Sequence, residues 1–373
     1  MNNSIRVGNL FGIPFYVNIS WFIVLGLMTL NYGTNLASQF PMLGGAMAGV
    51  LGLVAALLLF ASVLAHELGH SIVAIKQGIN VKSITLFLFG GLASLDRESK
   101  TPEGAFLIAI AGPAVSILIF LLLSGIGASV ATSGPLGAMI GLLAYINLAL
   151  ALFNLIPGLP LDGGNVLKAI VWKITGNQYT GVLWASRVGQ FLGWTAIVLG
   201  FLPSILYGRS LNFWTILIGW FLLQNAGALA QDARLRNKLS EYTAEDALVN
   251  DSPIVSGDLS LRELANEYII GKEQARRFFV VDADGQLLGQ FEIEQMKAIP
   301  TSEWPITQVK DFVQPVEISE TVEASRSLLD VVSLFETEQM SELAVMRDGM
   351  LIGLIEKASI RQLLQRKAEA KAA

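Results

Sequence analysis

Between residues 16 and 230 the chain carries six apolar stretches, at roughly 16–31, 46–75, 105–124, 136–156, 184–202 and 211–230. A helix needs about 20 apolar residues to cross the hydrocarbon of a bilayer, so each stretch is of spanning length or close to it. Inside that layer no water pairs with the backbone, and an uninterrupted apolar run satisfies its own amides only as a helix. The whole chain is 53% hydrophobic and 15% charged, whereas a soluble domain carries about 25% charge. An ordinary cytosolic enzyme is excluded. The fold class expected is a polytopic α-helical membrane protein of about six spans. The first stretch is not a signal peptide by its pattern, because its start holds a single base, Arg6, and no small-residue cleavage site follows.

Charge divides the chain. Residues 1–231 hold nine bases against five acids, Glu67, Asp96, Glu98, Glu103 and Asp162, while residues 232–373 hold 25 acids against 16 bases. Three regions follow: a membrane domain at 1–231, a linker at 232–245 and an acidic α/β domain at 246–373. The connections around 31–44 and 125–135 lack Lys and Arg, and the one around 203–210 has only Arg209. Bases instead collect on the other side, at Arg6, Lys76, Lys82, Arg97, Lys100, Lys168, Lys173, Arg187 and Arg234. The positive-inside rule then puts both termini in the cytoplasm. A cell membrane is the expected location, and an organelle membrane fits the composition equally. No nucleic-acid partner is expected; the surrounding partner is lipid.

The tail repeats itself. A gapless shift of 64 residues lays Ile254 on Ile318, Leu264 on Leu328 and Val281 on Val345, and aligns the hairpin Asp284-Gly285-Gln286-Leu287-Leu288-Gly289 with Asp348-Gly349-Met350-Leu351-Ile352-Gly353. Each Asp-Gly pair between two apolar strands predicts a tight turn. Helical patterns flank each hairpin. The two units resemble a tandem pair of cystathionine-β-synthase (CBS) motifs, which implies a regulatory module, often one that senses adenine nucleotides, and allows a homodimer through the pair.

The chain has 2 His and 0 Cys. Without cysteine there is no disulfide frame, zinc ribbon, iron–sulfur cluster or thiol nucleophile. Both histidines fall in His66-Glu67-Leu68-Gly69-His70, at the end of a span otherwise free of charge. Four residues apart on a helix, the two imidazoles share a face and reach one metal, while Glu67 stands beside a metal-held water. An ionisable group near the bilayer centre costs roughly 2.5–3.5 kcal/mol or more, so chance placement there is disfavoured. A catalytic zinc takes three protein ligands and keeps one position open. The third must be a carboxylate. Asp96, Glu98 and Glu103 lie in a charged run that reads as solvated surface or a helix start, whereas Asp162 stands alone in the Pro/Gly-broken segment Asn154–Gly164. Non-helical backbone at that depth is tolerated where it lines a cavity, which makes Asp162 the candidate.

His66-Glu67-Leu68-Gly69-His70, Phe153-Asn154-Leu155-Ile156-Pro157 and Leu161-Asp162-Gly163-Gly164 together resemble the site-2 protease family of intramembrane zinc metalloproteases. Gly8–Pro14, Phe89-Gly90-Gly91-Leu92-Ala93 and Ala111-Gly112-Pro113 resemble further family segments, and Ser116 stands where family members often have Asn. The resemblance implies one Zn²⁺ per chain on His66, His70 and Asp162, with Glu67 as general base. It implies a substrate-backbone contact for Asn154, and for the segment 84–95, with Gly90 and Gly91, a free strand edge that holds an unwound substrate. The substrates implied are single-span membrane proteins such as anti-sigma factors or signal-peptide remnants. A silent relative, or a metal-handling membrane protein using the same His/Glu/Asp site, is the alternative.

Nucleotide-binding CBS motifs carry Gly-x-x-Thr-x-x-Asp after the hairpin. Here the same positions are Gly289, Glu292 and Gln295, then Gly353, Glu356 and Ser359. Glutamates beside a polyphosphate repel it, which argues against an adenine nucleotide at either cleft.

Overall fold

The computed structural model describes residues 4–87, 90–129, 134–249, 252–270, 277–316, 320–338 and 340–372. It divides into two compact units, Met1–Arg234 and Leu235–Ala373.

The first unit opens with two antiparallel strands, β1 (Ser4–Leu10) and β2 (Ile13–Asn18). The Asn18 side chain then caps α1 (Ile19–Gln39) by accepting from the Ser20 amide at 3.0 Å. A short 3-10 turn leads into α2 (Gly44–Lys76). The chain returns as a hairpin, β3 (Val81–Phe87) and β4 (Gly90–Leu95), with β3 parallel to β2 and antiparallel to β4. In the sheet order β1-β2-β3-β4, β4 is an edge. Five helices follow: α3 (Pro102–Ser129), α4 (Pro135–Asn154), α5 (Asp162–Thr175), α6 (Gln178–Tyr207) and α7 (Phe213–Ser240).

Among the described residues, five helices are long and apolar enough to cross a membrane: α2, α3, α4, α6 and α7. The first expected span is the exception. Residues 16–18 close strand β2, and α1 runs on through Asn31, Thr34, Asn35 and Ser38, whose polar side chains lower its hydropathy.

The spanning helices meet through small side chains. Ala48, Gly52, Ala55 and Ala56 are the buried positions on one face of α2, and Gly181, Ala185, Gly189 and Gly193 play the same part on α6. Large apolar groups such as Leu118, Leu121, Leu122 and Trp194 point outward. With lipid outside, burying a Leu gains little, and close backbone approach sets the packing instead. The second unit is built the other way. Phe278, Phe291, Phe335, Leu261, Leu328 and Ile355 fill its cores, as expected where water drives burial.

That second unit contains two three-stranded sheets of one topology, β5 (Ile254–Ser256), β6 (Arg277–Val281) and β7 (Leu287–Glu292), then β8 (Thr321–Glu323), β9 (Glu342–Arg347) and β10 (Met350–Glu356). Helices α8 (Leu261–Leu264) and α9 (Ile293–Met296) serve the first, α10 (Leu328–Thr337) and α11 (Lys357–Ala372) the second. In each, a parallel strand pairs with the first arm of an antiparallel hairpin. The gapless alignment holds for β7 and β10, since Gly289 and Gly353 occupy matching places opposite Val280 and Val345. It slips by one residue on the first arm, where Val280, not Val281, matches Val345. The turn explains the slip: Asp348 and Gly349, with φ of 52° and 83°, close the second hairpin in two residues, and the first takes a longer route. Ile318 lies outside the described residues.

The α1–α2 crossing depends on Gly52, where a Cβ would sit 2.6 Å from the amide nitrogen of Gly33 and 2.6 Å from the carbonyl oxygen of Thr29. Gly52→Val is expected to destabilise the membrane domain by about 1–3 kcal/mol, read as a lower thermal midpoint in detergent. Gly26→Ala, in a helix position with open space around it, is expected to leave the midpoint unchanged or raised.

Candidate metal centre

The helix α2 carries His66, Glu67 and His70 toward its C-terminal end, and α5 begins at Asp162. The backbone between α4 and α5 turns sharply through Pro157, Gly158 and Pro160. Side chains at Gly163 and Gly164 would collide with the carbonyl of Leu155 and the amide of Leu159, so only glycine lets α5 fold back against its own entry turn. Asp162, first residue of α5, thereby reaches α2. Its Oδ2 lies 3.0 Å from Nε2 of His66 and 3.3 Å from Nε2 of His70, and these two nitrogens are 3.3 Å apart. A ligand atom from each of the three residues lies within 4.8 Å of the others, and the group could hold a metal ion.

Helix α3 holds the two imidazoles from behind. Nδ1 of His70 is 2.6 Å from the Ile108 carbonyl oxygen, and Nδ1 of His66 is 2.9 Å from Oγ of Ser116. A carbonyl only accepts, so Nδ1 of His70 carries the proton and Nε2 presents its lone pair to the centre. Ser116 and His66 are both buried. At Gly112, between those two contacts, a Cβ would fall on Nε2 of His70 and lie 2.7 Å from Nε2 of His66. The missing side chain is space kept free beside the donors. Two imidazole nitrogens, a carboxylate and a cleared approach are the donor types of a zinc site with an open position.

Glu67 faces the edge strand. A Cβ on Gly91 would lie 2.5 Å from Cγ and 3.1 Å from Oε1 of Glu67. Gly90 adopts a φ of 134°, which side chains rarely tolerate. Phe89, one of the residues carrying the resemblance, lies outside the described residues. Asn154 is the last residue of α4, half-buried.

The three carboxylates set aside in the sequence are engaged elsewhere. Asp96 accepts from Asn80, Glu98 pairs with Lys168 and Gln178, and Glu103 meets Lys173 at 3.0 Å. Sequence reasoning did not find Ser116, the Ile108 carbonyl or the Gly112 gap as parts of the centre. The signal available was the Ala111-Gly112-Pro113 motif, since proline inside a helix removes an amide and loosens the ladder around the carbonyls one turn earlier.

Residues 54–132 and 122–196 match the model of peptidase family M50. A protein of Synechocystis sp. named as a zinc metalloprotease is 58% identical over 369 residues, covering 99% of this chain and 97% of that one. Among solved structures, the site-2 protease from Methanocaldococcus jannaschii is 30% identical and covers 61% of this chain and 95% of its own, with a TM-score of 0.42. A CBS domain-containing protein from Kribbella flavida covers 33% of this chain and 97% of its own, at 17% identity and a TM-score of 0.28. Matched by so similar a relative over nearly its whole length, the chain belongs to peptidase family M50, the site-2 proteases, and is a multi-pass membrane zinc metalloendopeptidase.

Proposed function

We propose that this protease cleaves transmembrane segments of membrane-anchored substrates, with His66, His70 and Asp162 as zinc ligands and Glu67 as general base. The observation that carries this is the convergence of α2 and α5: three donors meet inside the apolar helix layer, and the one carboxylate beside them faces an edge strand. Bound there, zinc supplies Lewis acidity that polarises the scissile carbonyl and makes a neighbouring water more acidic. Glu67, beside Gly91 of the edge strand, takes the proton of the attacking water on its carboxylate and passes it to the leaving amine nitrogen.

A substrate helix has its amides paired already, so it must unwind before a carbonyl can reach the centre. The edge of β4 offers a partner for the extended segment; Gly91 keeps the space over Glu67 clear for it, and Gly90 supplies the backbone conformation that opens the strand there. Asn154, at the end of α4, contributes a hydrogen bond to the substrate backbone. With the centre nearer the face rich in Lys and Arg, water enters from the cytoplasm, where both termini lie. Anti-sigma factors and signal-peptide remnants have the required single-span form.

The second unit is read as a CBS-type regulatory pair, able to serve as a homodimer contact, that takes no adenine nucleotide. The side chains at the positions that would meet ribose are turned to their own helix starts: Gln295 Oε1 accepts from the Glu292 amide at 3.2 Å, and Ser359 Oγ from the Glu356 amide at 3.1 Å.

The test uses the full chain in lipid nanodiscs with a panel of single-span substrates. The parent is expected to cut inside the apolar span, a chelator to stop it, and ATP to leave the rate unchanged. Glu67→Gln is expected to keep its zinc and lose about 10²–10⁴-fold in rate, and Gly91→Val to keep zinc but lose cleavage. Cleavage by both parent and Glu67→Gln, or by neither, would overturn the mechanism. Because Ser116 holds Nδ1 of His66, Ser116→Ala is expected to weaken zinc binding by about 10–100-fold in competition with a chelator; unchanged affinity would show that the contact does not matter.

A further inference from the structure

Lys168 is the one buried cation among the described residues, with 8% of its surface exposed. It lies on α5, six residues after Asp162, and pairs with Oε2 of Glu98. The same oxygen accepts from Nε2 of Gln178, the first residue of α6. At Gly181 a side chain would collide with the Lys168 carbonyl, so α6 is pressed onto α5 at this level. Glu98 is itself 66% exposed in its side chain. A lysine that deep, held by a carboxylate that solvent can reach, is not explained by catalysis or by packing.

The segment that carries Glu98 is also fastened to the end of α2. The Arg97 guanidinium donates to the Gly78 carbonyl at 2.8 Å, the Asp96 amide to the Asn80 carbonyl at 3.0 Å, and Ser99 Oγ to Oε1 of Gln77 at 3.1 Å. The connection between β4 and α3 therefore joins α2 to α5 and α6. At 1.5 Å per residue, Lys168 lies about 9 Å along its helix from Asp162, and Gln77 about 10 Å along the chain from His70. The helices that supply the ligands are thus linked twice, once at the donors and once about two turns beyond.

Two links at that spacing fix an angle that one link leaves free. A tilt of about 6° acting over 10 Å moves a ligand by about 1 Å, and displacements of that size cost catalytic sites about 100-fold. We propose that Glu98, Lys168 and Gln178 form a positioning latch that sets Asp162 against His66 and His70 and ties β4, the strand over Glu67, to the same frame. The latch rests on the ligand reading given above. It acts through Asp162 and touches neither substrate nor metal.

A second ion pair serves as the control. Lys173 also lies on α5 and meets Glu103 at the start of α3, with both side chains mostly exposed. Exposed pairs of this kind contribute little. The sequence has no cysteine, so Lys76→Cys at the end of α2 and Ile174→Cys near the end of α5, both exposed, place two spin labels on a clean background.

In the full chain in nanodiscs, Glu98→Gln is expected to raise the zinc dissociation constant about 10-fold, to lower kcat with KM unchanged, and to broaden the label-to-label distance in the metal-free protein. Glu98→Asp keeps the charge and is expected to recover most of each loss, and Glu103→Gln to match the parent throughout. Should Glu98→Gln lose its cooperative melt, Gln178→Ala, which leaves the ion pair in place, is expected to show the same changes at about one third of the size. Parental zinc affinity and an unbroadened distance in Glu98→Gln, or equal losses in Glu103→Gln, would overturn the latch. If the ligand assignment itself fails, the parent binds no zinc, while the distance measurement still reads the latch.

Discussion

Hydrocarbon cannot solvate a charge, so every ionisable group placed in it must be answered by another group of the protein. For His66, His70 and Asp162 that requirement is met by one contact between two helices. His66 and His70 on α2 and Asp162 at the start of α5 lie 3.0 to 3.3 Å apart, and the surrounding structure can be understood as what makes this approach possible. Gly163 and Gly164 let α5 turn back against its entry, Gly112 leaves α3 clear of the imidazole nitrogens, and Ser116 and the Ile108 carbonyl hold the rings from behind. Three helices are thus committed to three donor atoms.

The two units obey different physics. The membrane unit packs through glycine and alanine and turns its leucines outward, whereas the second unit buries phenylalanine and leucine. The first arrangement brings backbones close, which is what a metal site built from helix faces needs. It also makes positions such as Gly52 intolerant of any side chain, because backbone rather than a flexible group stands opposite.

Much of the centre was legible in the sequence for reasons of scarcity. With two histidines in one helical turn and no cysteine, a third ligand had to be a carboxylate, and Asp162 was the one not in a charged run. The remaining parts were not legible because they come from backbone or from absent atoms. Nothing in the spacing of residues 105–116 says that a carbonyl at 108 will meet His70, or that the missing Cβ at 112 marks the approach. Glu98 read as solvated surface, and it is largely exposed; that its partner Lys168 is buried depends on how α6 lies on α5. The first apolar stretch divides between two elements, which hydropathy alone does not register: residues 16–18 extend a sheet, and α1 runs on past its apolar part through Asn31 and Asn35. The repeat was found from its Asp-Gly turns, but a turn shorter by one residue shifts the first arm of the hairpin, which no gapless alignment can show.

Zinc-edge X-ray absorption on the purified protein tests the ligand set most directly. The expected spectrum shows one zinc per chain with nitrogen and oxygen neighbours at about 2.0–2.1 Å and the outer-shell signature of two imidazoles, falling to one imidazole in His70→Ala. A protein that holds no zinc, or a spectrum that His70→Ala and Asp162→Ala leave unchanged, would contradict the assignment of His66, His70 and Asp162.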